Sequence, residues 1–110
     1  MGEVPEQATV QITYATNDQI IAATKTSVEQ AVNQYPGHHR PAAALIISCA
    51  ARRWMLGDRA KEEYALSQQL LESTIPLIGF YAYGEIAPLK VKGQSCYHQE
   101  TLVTLLLGGE

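Results

Sequence analysis

The run Ala43 to Cys49, AALIISC, is apolar almost without interruption. It limits the fold more than any other stretch, because a strand apolar at every position has to be covered on both faces and so sits in the middle of a sheet. Leu102 to Leu107, LVTLLL, behaves the same way: Val103, Leu105 and Leu107 point to one side, Leu102 and Leu106 to the other. Two central-type strands with two apolar faces need layers above and below them. The chain has to be asked what those layers are.

The remaining elements are read from periodicity and turn chemistry. Residues 1–8 form a loose lead-in with Pro5 and two glutamates. Thr9 to Tyr14 alternates polar with β-branched or aromatic residues, which predicts a half-buried strand with Val10, Ile12 and Tyr14 on one face. Asn17 or Asp18 can cap a helix over Gln19 to Gln34, with Ile21, Thr24, Val28, Ala31 or Val32, and Tyr35 forming its apolar stripe. Pro36-Gly37 ends it, and His38, His39 and Arg40 read as a solvated loop, since adjacent histidines seldom point at one metal ion. Asp58 is a capping residue for a second helix through about Ser73, with Glu62 and Glu63 near its positive end and Tyr64, Ser67, Leu70 and Leu71 facing inward. A strand then opens at Pro76, turns aromatic at Phe80, Tyr81 and Tyr83, and ends at Gly84-Glu85. Lys90 to Gly93 reads as a protruding loop, which would make the Pro76 strand and the last strand an antiparallel hairpin.

The expected order is strand, helix, strand, helix, strand, strand. This is an α/β chain in a two-layer α+β arrangement, with a mixed four-stranded sheet and both helices on one face. Residues 9–110 make a single domain, since 110 residues support one core and not two. Two helices on one face leave the other apolar face open, so the sequence predicts a homodimer through that uncovered face, or a further piece of chain covering it.

Charge and composition exclude several classes. The net charge of -3 is carried with scattered lysines and arginines, which provides no stripe for a phosphate backbone, so no nucleic-acid partner is expected. No apolar run approaches the ~20 residues of a membrane helix, and the acidic start lacks the features of a signal peptide, so the expected compartment is the cytoplasm. Cys49 and Cys96 are expected to be reduced, buried thiols.

Arg52 and Arg53 lie just past the carboxyl end of the buried Ala43 strand, where ligands bind in sheets with parallel strands. The alternative is that Arg52 pairs with a core carboxylate such as Glu85 while Arg53 is solvated. Three stretches together, Ser48-Cys49-Ala50-Ala51-Arg52-Arg53, Ile78-Gly79-Phe80-Tyr81-Ala82-Tyr83-Gly84-Glu85-Ile86-Ala87-Pro88 and Tyr97-His98-Gln99-Glu100-Thr101, resemble the carboxy-terminal half of FIST sensory domains over about Thr9 to Gly108. Tyr97 and Gln99 stand where that family usually has Phe and Asn.

The resemblance implies a non-catalytic module of a prokaryotic signalling protein that senses a small molecule such as an amino acid. It also implies a signalling output domain and an amino-terminal half as companions. The pocket expected from it comprises Arg52, Tyr81, Tyr83, Glu85, His98 and Thr101. Arg52 offers a fork for a ligand carboxylate and Glu85 an anion for its ammonium, while tyrosine hydroxyls and Thr101 fix orientation. The competing reading is a polar plug in which Arg52, Glu85 and His98 bond one another with no ligand. Three other classes stand beside it. His98 with Glu100 or Glu85 could act as a base and Cys49 or Ser48 as a nucleophile, but no nucleophile-elbow or phosphate-loop pattern surrounds them. His98 could serve as an axial haem ligand, or the chain could be an interaction module alone. No enzyme activity, cofactor or metal is expected.

Overall fold

The computed structural model describes residues 4–36, 39–72, 74–90, 92–98 and 100–109. Gly37, His38, Ser73 and Gln99 lie outside the described residues, as do residues 1–3 of the lead-in. The elements are α1 (Asn17–Gln34), β1 (Ala43–Cys49), α2 (Ala50–Leu56), a 3-10 turn (Gly57–Arg59), α3 (Ala60–Leu70), β2 (Leu77–Ala82), β3 (Glu85–Pro88), β4 (Ser95–His98) and β5 (Leu102–Leu107).

As its composition demands, β1 is the middle strand, in a sheet of order β2-β1-β5. β2 runs parallel to it, reached through α2 and α3, and β5 runs antiparallel. The register puts Ala44, Ile46, Ser48, Leu77, Leu102 and Leu106 on one face and Leu45, Ile47, Ile78, Phe80, Val103, Leu105 and Leu107 on the other. The first set meets the helices: Val28, Ala44, Ile46 and Leu71 form the core, with Leu70, Ile75, Leu77, Leu102 and Leu106 packed around it.

Helix α1 starts at Asn17, two residues before the expected Gln19. Thr16 is the cap, and it exchanges hydrogen bonds with Gln19: the Gln19 amide donates to Thr16 Oγ1 at 3.2 Å, and the Thr16 amide donates to Gln19 Oε1 at 2.9 Å. Its buried positions are Ile20, Thr24 and Val28, so the stripe begins at Ile20 and not Ile21. Asp58 caps no helix. The chain turns helical immediately after β1, and Asp58 lies in the 3-10 turn that joins α2 to α3. Gly57 makes that turn possible with φ 55° and ψ -124°, a region open to glycine and strained for any other residue. Arg59 ties the turn to its surroundings, donating from Nη2 to Asp18 at 2.8 Å and from Nε to Glu62 at 3.0 Å.

Three expectations need correction. Thr9 to Tyr14 is not a strand: β1 already has β2 on one edge and β5 on the other, so the predicted parallel partner has no place beside it, and every residue from Val4 to Thr16 is exposed. The Pro76 strand and the last strand do not pair with each other, because β1 lies between them. The segment expected to be a loop supplies a hairpin of its own, in which Glu85↔His98, Ile86↔Tyr97, Ala87↔Cys96 and Pro88↔Ser95 pair antiparallel. The class is α+β with a mixed sheet as expected, but as three strands plus a separate pair and not as four.

The second face of the large sheet is open. Ile78 is 69% exposed, Phe80 52%, Leu105 46% and Leu107 47%. Cys49 is buried and Cys96 exposed, which corrects the expectation that both thiols are buried.

Candidate functional site

The carboxyl end of β1 is where the polar chemistry collects. Ser48 ends the strand's helix-facing side, and α2 begins at Ala50, so Arg52 falls in its first turn with its side chain directed between α1 and α3. One turn into α3, Glu63 points at the same spot. Arg52 is 5% exposed and Glu63 4%.

Arg52 Nε donates to Glu63 Oε1 at 2.8 Å and Nη2 to the same oxygen at 2.6 Å, while Nη2 also donates to Ile20 O at 2.8 Å and Thr24 Oγ1 at 3.0 Å. Glu63 accepts further bonds from Thr24 Oγ1 and Ser48 Oγ, each at 3.2 Å. Ser67, one turn on, donates to the Glu63 carbonyl at 2.7 Å. A buried charge pair persists only when the remaining donors and acceptors are satisfied in this way. The carboxylate partner of Arg52 is therefore Glu63, and not Glu85 as the alternative sequence reading had it.

Tyr81 sits at the rim of this cluster. Its hydroxyl comes within 3.5 Å of Glu63 Oε2, and the Arg53 guanidinium stacks 5.4 Å above its ring. Burial pushes the Tyr81 phenol above its ordinary value, the Glu63 carboxylate adds to that shift, and the Arg53 charge opposes it. Next to it a cleft of about 120 Å³ opens between α3 and β2, with Ser48, Glu63 and Tyr81 at its polar end and Ile46, Tyr64, Gly79 and Phe80 along its apolar wall.

A second, separate cluster forms at the β3–β4 hairpin. Glu85, 3% exposed, opens β3 opposite His98 in the ladder. Thr101 Oγ1 donates to Glu85 Oε2 at 3.1 Å, and the Cys49 amide donates to the Thr101 carbonyl at 2.9 Å, which anchors this cluster to the end of β1. His98 Nε2 lies 3.0 Å from the Ala87 carbonyl. Glu85 Oε1 is buried and, among the described residues, has no hydrogen-bond partner. An unpaired carboxylate oxygen in such a place costs on the order of 1–3 kcal/mol.

The six residues expected in one pocket thus fall into three groups. Glu85, His98 and Thr101 are together. Tyr81 is with Arg52, whose guanidinium is held by internal partners. Tyr83 is 82% exposed and joins neither. The residue the sequence reading missed is Glu63, taken as an ordinary acidic group at a helix start. Its four-residue spacing to Ser67 and Leu71, both fully buried, was the available signal. No cluster of three or more metal-ligating side chains exists among the described residues, and no helix there is long and apolar enough to cross a membrane.

Comparison with known proteins adds one finding. The family model for the FIST C domain matches residues 1–88, which spans α1 through β3 and both the Arg52 and Glu85 stretches. Searches of curated proteins and of solved structures found no match to the chain.

Proposed function

Because this chain belongs to the FIST C domain family, we propose that it is the non-catalytic, small-ligand-sensing part of a cytoplasmic signal-transduction protein whose output lies in another domain. The ligand class that fits is an amino acid or similar metabolite carrying an ammonium group. One observation carries this reading: Glu85 presents a buried carboxylate oxygen without a donor among the described residues, beside a second oxygen already oriented by Thr101. An ammonium supplies the missing donor and the compensating charge together. Arg52 has no part in binding here; its role is to hold α1, α2 and α3 around the end of β1.

A second reading is favoured by the cleft beside Tyr81, whose apolar wall and polar end could seat a side chain of similar size. One experiment separates the two. Thermal unfolding is followed with each of the twenty amino acids. A ligand at about a hundredfold excess over its Kd stabilises by ~2.7 kcal/mol, a Tm rise of roughly 10 °C for a domain of this size. The Glu85 reading expects that rise to vanish in Glu85→Gln, shrink in Thr101→Val and persist in Tyr81→Phe. Loss in Tyr81→Phe with retention in Glu85→Gln supports the cleft. An equal rise in wild type and both variants removes both.

A further inference from the structure

The cleft beside Tyr81 exists because a side chain is missing. In β2 the positions on the helix-facing side are Leu77, Gly79 and Tyr81, and the register sets Gly79 against Ile46 and Tyr81 against Ser48 of β1. Glycine places nothing between Leu77 and Tyr81, and the cleft of about 120 Å³ opens at that gap, beside Tyr64 of α3. Its inner end is polar and nearly closed to water: Ser48 and Glu63 are each 4% exposed. Charge there is already balanced, since Arg52 engages Glu63 through Oε1. Glu63 Oε2 accepts a 3.2 Å bond from Ser48 Oγ and has the Tyr81 hydroxyl at 3.5 Å. An O–H···O bond ordinarily closes to ~2.7–2.8 Å, so the tyrosine contact is slack. A ligand oxygen that donates to Glu63 Oε2 and accepts from Tyr81 can lie at ordinary bonding distance from both.

The balanced pair selects the charge of what can enter. A carboxylate would face Glu63, and an ammonium would add an uncompensated charge to a neutral pair, so the group that fits is a neutral hydroxyl. The walls select its body. Ile46, Tyr64 and Phe80 make an apolar and largely aromatic lining, and an apolar cavity of ~150 Å³ holds one benzene ring. At about 120 Å³ the cleft takes one ring and not two. We propose that it binds a neutral phenol, whose hydroxyl donates to Glu63 Oε2 and accepts from Tyr81 while its ring lies along Ile46, Tyr64 and the Gly79 backbone. The site is separate from the Glu85 cluster. It asks for a neutral ligand where Glu85 asks for an ammonium, and it stands whether or not an amino acid binds there.

The test is calorimetric titration of the full chain with p-cresol and with toluene, the same ring without the hydroxyl, with two-dimensional amide spectra recorded alongside. The chain should bind p-cresol saturably and about tenfold or more tighter than toluene, because the bond to the carboxylate is lost with the hydroxyl. The Gly79 and Ser48 amide signals should shift with the same midpoint. Tyr81→Phe, a change at the rim that leaves the Arg52–Glu63 pair in place, should weaken p-cresol about two- to tenfold and leave toluene unchanged. Glu85→Gln should alter neither titration, so a failure here is distinct from a failure of the Glu85 reading. Equal affinity for the two probes, an absence of saturable p-cresol binding, a Tyr81→Phe variant that binds p-cresol as wild type does, or binding abolished by Glu85→Gln each overturns the proposal.

Discussion

Removing Glu63 should be the most damaging single truncation in this chain that creates no large cavity. Glu63→Ala leaves the Arg52 guanidinium, 5% exposed, with the Ile20 carbonyl and the Thr24 hydroxyl as its remaining partners among the described residues. It also takes the acceptor from Thr24 and Ser48. Arginine cannot shed its charge, so the site must either hold an uncompensated cation or open to water. Breaking a buried pair in this way costs about 3–5 kcal/mol, a large share of the ~5–15 kcal/mol that holds a domain together. Glu63→Gln keeps an acceptor and should lose less. Replacing both partners, Arg52→Met with Glu63→Leu, removes the charge problem along with the attraction and should recover most of the loss, since apolar replacement of a buried pair is often neutral. Urea unfolding of the wild type, Arg52→Met, Glu63→Leu and the double variant forms a complete cycle, with Glu63→Ala and Glu63→Gln measured beside it. A Glu63→Ala cost below about 1 kcal/mol, or a double variant no more stable than the sum of its singles predicts, refutes the claim that this pair is internal and buried.

Further outcomes follow from named geometry. Tyr81 should titrate, by its ultraviolet absorbance, above the ordinary tyrosine value of 10.0. The neutral phenol is favoured in the folded state, so its contribution to stability is present below 10.0 and is lost as pH rises through the higher folded value. In Glu63→Gln the Tyr81 titration should move down, and an unchanged titration leaves burial alone as the cause of the shift. Gly84→Ala would place a Cβ 2.6 to 2.9 Å from the Tyr97 ring. That ring is 58% exposed and can yield, so the cost by urea unfolding should be about 1 kcal/mol and should vanish in a Tyr97→Ala background. Gly57→Ala has open space around it but a backbone conformation closed to alanine, and should cost about 1–3 kcal/mol by the same measurement.

Much of the architecture was legible wherever one local pattern decided it. The apolar runs at β1 and β5, and the three- and four-residue spacing along α1, correspond to observed elements because burial on a sheet or on one helix face is written in period. Thr9 to Tyr14 carries an equally good strand pattern and forms none. Whether a strand exists depends on a free edge, and the neighbours of β1 are chosen by β2 and β5, far away in sequence. The β3–β4 hairpin escaped notice because four-residue strands with exposed Ile86 and Tyr97 leave little alternation to read. In the site, Glu85 was read as the end of the aromatic strand, whereas β2 stops at Ala82 and Glu85 opens β3, where Thr101 donates to it. The pairing of Arg52 was not legible. Glu85 and Glu63 were both available carboxylates, and the choice between them is set by how α2 and α3 fold back over Thr24.

We propose the Glu85 carboxylate, and not Arg52, as the receptor for a ligand. Carbon-13 carboxyl resonances, recorded on chain labelled at glutamate and titrated with the amino acid that gives the largest thermal shift, test it most directly. The account predicts that the Glu85 signal moves and saturates with the same midpoint as the stabilisation, while Glu63 stays fixed in its pair with Arg52. A bound ligand that moves Glu63 and leaves Glu85 unchanged would contradict it.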